Sequence, residues 1–278
     1  MAIRRASNSS IRRVLLLVVL TMALGTTFGI GEAAAAPAKP TVVLVHGAFA
    51  DASSWDGVAA QLRAQGYPVL TPDNPLRGPS NDAAVIKRVL DGISGPVVLV
   101  GHSYGGEVIT NAARNTPNVK ALVYVSAIAP AQGEPGQLTI DPIRYPGSEL
   151  LPPVLLPKIV DDPQGPAGKN LDVYIAPDRF REAFAADVPA DKAAEMAARQ
   201  KSLALAANLE PSGPPAYENH PSWWLLPTED KAVPPSAQRA MAARAHSKVT
   251  EIAGSHAILV SHPEAVTALV DAADAATP

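Results

Sequence analysis

Apolar positions follow two different periods along this chain. Thr41–Val45 is an unbroken run of β-branched residues and leucine, and Val97 to Val100 and Val119–Val125 repeat that pattern. Runs without polar alternation suit strands buried on both faces, as in parallel sheets. Residues 68–71, 222–226 and 248–252 are weaker strand candidates. Between them the apolar positions recur at helical spacing. Residues 54–65 present Val58, Ala59 and Leu62, and residues 81–90 present Ala84, Val85 and Val89. Residues 107–115, 235–246 and 263–275 complete the set, the last two with proline in the first turn. Strands alternating with helices predict an α/β fold, a mostly parallel sheet with helices on both faces.

Residues 130–221 interrupt this alternation. The segment is rich in proline and then turns helical over 178–186 and 191–208, with Phe180, Phe184, Met196, Leu203 and Leu205 at helix-like spacing. It reads as an inserted helical lid over the carboxyl ends of the strands.

The N-terminus has a different character. Arg4, Arg5, Arg12 and Arg13 precede an apolar stretch from Val14 to Leu24, and small residues run from Ala33 to Ala36. This predicts a secretory signal peptide over residues 1–36 and an exported protein, secreted or held in the cell envelope. Residues 37–278 then suit one domain large enough to bury its own core. No other segment is apolar for long enough to span a bilayer once the signal is removed.

Composition narrows the chemistry. With no cysteine, an exported chain has no disulfides, no thiol nucleophile and no thiolate metal site. The net charge of −3 and the lack of a basic patch with interleaved aromatics exclude nucleic acid as a partner. No H-E-x-x-H spacing points to a metal.

The run Gly101-His102-Ser103-Tyr104-Gly105-Gly106 sits between a predicted strand and a predicted helix. In that context G-x-S-x-G is a nucleophile elbow, which pushes the serine out at a tight turn. A serine hydroxyl needs a base, and the base needs an orienting acid. His256, in Gly254-Ser255-His256, follows the last predicted strand and can reach back to the elbow. His102 should point away from the serine, and His46 fits a structural place under its own loop. The acid should follow the penultimate strand, where Glu229 and Asp230 are both candidates, Asp230 the better placed before Val233-Pro234. The order Ser, Asp, His is the one expected of this elbow. Tyr104 N–H, at a helix N-terminus, is one candidate oxyanion donor. In His46-Gly47-Ala48-Phe49, Ala48 N–H is the preferred second donor and Phe49 N–H the alternative. Phe49, Phe180 and Phe184 are candidates for an apolar substrate pocket, whereas Trp223 and Trp224 read as core.

Taken together, His46-Gly47-Ala48, the elbow, the turn from Asp230 to Pro234 and Gly254-Ser255-His256 make the chain resemble the α/β-hydrolase fold enzymes. The similar group includes small serine esterases, plant methylesterases and hydroxynitrile lyases. The resemblance runs from Thr41 to the C-terminus. It implies a triad of Ser103, Asp230 and His256, an oxyanion hole from Ala48 and Tyr104, no cofactor, and a small-molecule carboxylic ester cleaved through an acyl-enzyme. Amidase, cofactor-free perhydrolase or haloperoxidase, and lyase chemistry remain open on the same triad. The two-strand hairpin that often opens this fold has no room before Thr41, so about six parallel strands are expected, with the first near the centre. The His-Gly-Gly-Gly run of many lipases is absent, which argues against esters of bulky tertiary alcohols.

Overall fold

The computed structural model describes residues 38–277, so the expected signal segment 1–36 lies outside the described residues. The β-branched run Thr41–Val45 forms β1, with Val42 to Val45 wholly buried. α1 (Asp56–Ala64) follows a one-turn 3-10 helix, and β2 (Val69–Leu70) is short. α2 (Pro79–Asp91), β3 (Val97–His102), α3 (Tyr104–Ala112) and β4 (Val119–Val125) continue the alternation. Residues 126–221 hold α4 (Gly136–Thr139), β5 (Leu155–Asp161), β6 (Lys169–Ile175), α5 (Phe180–Phe184), α6 (Ala190–Arg199) and β7 (Leu203–Ala204). The chain closes with β8 (Ser222–Pro227), α7 (Pro235–Arg244), β9 (Lys248–Ile252), α8 (Ile258–Ser261) and α9 (Pro263–Ala276).

Six strands make one sheet in the order β2-β1-β3-β4-β8-β9, every pairing parallel. The first strand stands one place in from an edge, not near the centre, because β2 flanks it while β3 and β4 take the middle. Successive side chains of β3 point to opposite faces. Val97 and Leu99 join a core with Ile86 and Leu90 of α2, Val108 and Ile109 of α3, and Met241 of α7. Val98 and Val100 join a second core with Val58 and Leu62 of α1 and Val266 and Val270 of α9. The result is three layers, and the strands' carboxyl ends all open on one rim, where ligands bind in such sheets.

The segment between β4 and β8 holds a second, three-stranded antiparallel sheet, β5-β6-β7, beside its helices. The helix expected over 191–208 ends at Arg199. Gln200 Oε1 accepts from Ile175 N–H at 2.9 Å and its Nε2 donates to Ile175 O at 2.9 Å, so this side chain pairs with β6 like one more strand residue. Two clasps join the segment to the main sheet's loops. Arg77 grips the buried Asp172 through both carboxylate oxygens at 2.9 and 2.6 Å. Near the end of α6, Arg199 pairs with Asp51 at 3.1 Å and Lys201 with Asp73 at 2.6 Å.

Candidate active site

β3 ends at His102, α3 begins at Tyr104, and Ser103 alone makes the turn, with φ 55° and ψ −128°. A non-glycine residue at that φ is strained and is held there only by its surroundings. Those surroundings exist because the flanks are glycines. A Cβ on Gly101 would come within 2.5 Å of Gly105 O, and one on Gly105 within 2.5 Å of Val45 O. Ser103 is nearly buried, with 8% of its surface exposed.

The loop after β9 brings His256 to the same rim. Its ring is wholly buried, and Nδ1 lies 2.8 Å from Oδ2 of Asp230, in the turn that follows β8. A carboxylate only accepts, so Nδ1 donates and the neutral ring presents a lone pair at Nε2. That nitrogen is buried and has no hydrogen-bond partner, Ser103 Oγ included. Asp230 is saturated: Oδ1 accepts from Ala232 N–H and Val233 N–H, both at 2.8 Å, and Oδ2 also accepts from Gln238 Nε2 at 2.8 Å. Asp230 is buried, whereas Glu229 is exposed.

His102, which precedes the serine, packs against the base and supports its loop. Its Nε2 donates to His256 O at 3.1 Å, and the two rings lie 4.8 Å apart. Burial first, and the nearby His256 second, push the His102 ring well below the usual imidazole range, so it stays neutral. From the other side Phe184 sets its ring edge-on to His256 at 4.7 Å. Phe180 is fully buried and packs on Phe184 with ring centroids 5.0 Å apart.

Gly47 carries the loop after β1 hard against the elbow. A Cβ there would fall 2.6 Å from Ser103 Cβ and 3.2 Å from Tyr104 N. Phe49 N–H donates to Lys201 O at 3.0 Å, which removes it as an oxyanion donor. Among the described residues neither Ala48 N–H nor Tyr104 N–H has an acceptor. The Tyr104 side chain points elsewhere, its hydroxyl donating to Asp82 at 2.8 Å. Phe49 and Ala50, with Met196 of α6 and Val260 of α8, line a narrow cleft with about 20 Å³ of internal space, and the Arg199–Asp51 pair also lines it. His46 is structural: Asn74 N–H donates to its Nε2 at 3.0 Å, and its Nδ1 meets Gly47 O at 2.9 Å.

A family model described as "Alpha/beta hydrolase family" matches residues 42–269. The chain belongs to the alpha/beta hydrolase family. Among curated members of related sequence, "Pyrethroid hydrolase" of Sphingobium wenxiniae is 28% identical over 84% of this chain and 88% of its own. "Carbendazim hydrolyzing esterase" of a Nocardioides species is 37% identical, but the match covers 33% of this chain and 43% of that protein. Solved alpha/beta hydrolase structures have the same fold. Polyneuridine aldehyde esterase superposes with TM-score 0.71 at 20% identity, over 85% of this chain and 100% of its own. A pyrethroid hydrolase from Sphingobium faniae JZ-2 gives 0.69 at 23%, over 85% and 98%. Among the described residues of this hydrolase, no helix is long and apolar enough to cross a membrane, and no group of three metal-ligating side chains forms.

Three features of the site are not visible along the sequence. Gln238 of α7 reaches Asp230. Asp187, between α5 and α6, accepts from Ser255 N–H at 3.1 Å and Ser261 Oγ at 2.7 Å, and also bonds Ser255 Oγ. Glu107, one turn into α3, is wholly buried with neither carboxyl oxygen partnered.

Proposed function

We propose that this hydrolase cleaves a carboxylic ester through an acyl-enzyme on Ser103. His256 Nε2 takes the hydroxyl proton as Ser103 Oγ attacks the carbonyl, and returns it to the leaving alcohol. Water, activated by the same nitrogen, then releases the acid. Asp230 holds the ring in the tautomer that keeps Nε2 free and steadies the imidazolium that forms. The backbone N–H groups of Ala48 and Tyr104 receive the oxyanion. The observation that carries this reading is the buried His256–Asp230 pair, whose second ring nitrogen is left unpartnered, in the same structure as the strained Ser103 at the tip of β3.

Phe49, Met196 and Val260 give a narrow cleft its apolar side next to the loop of the oxyanion donors, and residues 130–221 act as its lid. Relatives named for hydrolysing a pyrethroid and carbendazim support an ester or ester-like bond. The N-terminal basic region, apolar stretch and Ala-x-Ala sequence support export, and N-terminal sequencing of the protein recovered outside the cytoplasm tests cleavage near Ala36. For the chemistry, Ser103→Ala should lower p-nitrophenyl ester turnover by roughly 10⁴-fold. Turnover within tenfold of the parent would refute the reading. A series of acyl lengths then measures the pocket.

A further inference from the structure

Gln238 is wholly buried on α7, and every hydrogen-bonding atom of its amide is committed. Nε2 donates to Asp230 Oδ2 and to Val233 O, both at 2.8 Å. Oε1 accepts from Trp224 Nε1 at 3.2 Å. These partners leave the amide one orientation. An indole N–H can only donate, so the oxygen must face Trp224 of β8. A carboxylate and a carbonyl can only accept, so the nitrogen must face Asp230 and Val233. Trp224 is itself fixed, fully buried and stacked on Tyr124 with centroids 4.8 Å apart.

Gln238 and His256 donate to the same oxygen of Asp230, while Ala232 and Val233 hold the other. The two backbone donors pin one end of the carboxylate. Rotation about the bond to the carboxyl group would still move Oδ2 off the line to His256 Nδ1, and the Gln238 amide blocks that rotation. It also draws charge from Oδ2, which moderates how strongly Asp230 stabilises the imidazolium. Asp230 and His102 are the titratable groups beside the His256 ring, and Phe184 covers a further side.

We propose that Gln238, locked by Trp224, is a positioning residue for the Asp230–His256 pair, a role that rests on the triad reading above. It touches no substrate and acts through Asp230. Gln238→Met keeps the volume and removes all three hydrogen bonds. It should lower kcat by roughly tenfold with KM within about twofold. It should also move the acidic limb of the kcat/KM profile to higher pH by about half a unit, because a carboxylate with one donor fewer holds the imidazolium more tightly. A purely structural role would scale activity with the folded fraction and leave the limb in place. Gln238→Glu supplies an isosteric carboxyl that can donate to Asp230 only while protonated. Once ionised it repels Asp230 and cannot donate, so its activity relative to the parent at the same pH should fall as pH rises. Trp224→Phe keeps Gln238 and frees its amide, so it should show the same limb shift at smaller amplitude, which covers the case in which Gln238→Met does not fold.

The downfield Nδ1–H proton resonance of His256 gives a second readout and should move or broaden in Gln238→Met. An unmoved limb and an unmoved resonance in folded Gln238→Met or Trp224→Phe would overturn the proposal. Ser103→Ala and Asp230→Asn run beside them separate the two ideas. If these lose activity while Gln238→Met matches the parent, the positioning role falls alone. If they retain activity, the triad reading falls first.

Discussion

Glu107 lies one turn after the proposed nucleophile, and its carboxyl group has no partner in a fully buried setting. Burial chiefly, then the neighbouring Glu210, Asp82 and Glu134, push it well above the usual carboxylate range. The native state therefore keeps a proton that the unfolded chain releases near pH 4.3. In the window above that value the unfolded state binds one proton fewer than the native state, so stability falls as pH rises. The contribution is fully present below the unfolded-state value and is lost as pH climbs toward the raised native one. The slope inside the window is about 1.4 kcal/mol per pH unit, which is appreciable against a typical folding stability of about 5–15 kcal/mol. Glu107→Gln abolishes the slope but buries an amide whose oxygen no donor reaches, at a cost of about 1–3 kcal/mol. The variant should be less stable than the parent near pH 5, and the difference should shrink and reverse as pH rises. Urea unfolding followed by circular dichroism from pH 5 to 8 measures this directly. A difference between the two proteins that stays constant across that range would refute the reasoning.

Three further perturbations follow from the geometry. Gly47→Ala places a methyl group 2.6 Å from Ser103 Cβ, so the loop must retreat from the elbow. The expected kcat loss is roughly 10²-fold with folding retained, and unchanged steady-state kinetics would contradict the oxyanion assignment of that loop. Asp187 ties the lid to the loop carrying His256; burial alone would raise its carboxyl, but hydrogen bonds from Ser255 and Ser261 outweigh that and lower it. Asp187→Ala should cut kcat by roughly tenfold and stability by about 1–3 kcal/mol, and a melting temperature and kcat equal to the parent's would show the clasp to be idle. His102 is held neutral by burial, so its contribution to stability is present above the unfolded-state value near pH 6.5 and lost as pH falls below it. His102→Phe should flatten stability between pH 6.5 and 5 in chemical unfolding; a slope as steep as the parent's would contradict the assignment.

The main sheet was legible because its strands are buried on both faces. Val97 to Val100 and Ala121 to Val125 show this as unbroken apolar runs, and the edge strand Lys248–Ile252 only faintly because it is largely exposed. The elbow was legible because its constraint is local: glycines must flank a serine at positive φ. The sheet β5-β6-β7 was not. Its central proline and exposed residues such as Ile159 and Leu171 break the alternation that marks a strand, and its pairing depends on a partner segment distant in sequence. The early end of α6 was equally hidden, since Gln200 leaves the helix to bond Ile175 across the small sheet. The supports of the site escaped for the same reason. Gln238, Asp187 and the His102 ring matter for what they touch through space, and nothing in their immediate neighbours along the chain reports it.

The most direct test of the account is to trap the covalent intermediate. Rapid acid quench of the enzyme with a short-chain p-nitrophenyl ester, followed by peptide mass spectrometry, should find one acyl group on the peptide containing Ser103. With His256 replaced the adduct should form only slowly or not at all, and it should be absent from Ser103→Ala. An acyl group carried on another residue, or full ester turnover with Ser103 never modified, would contradict the account.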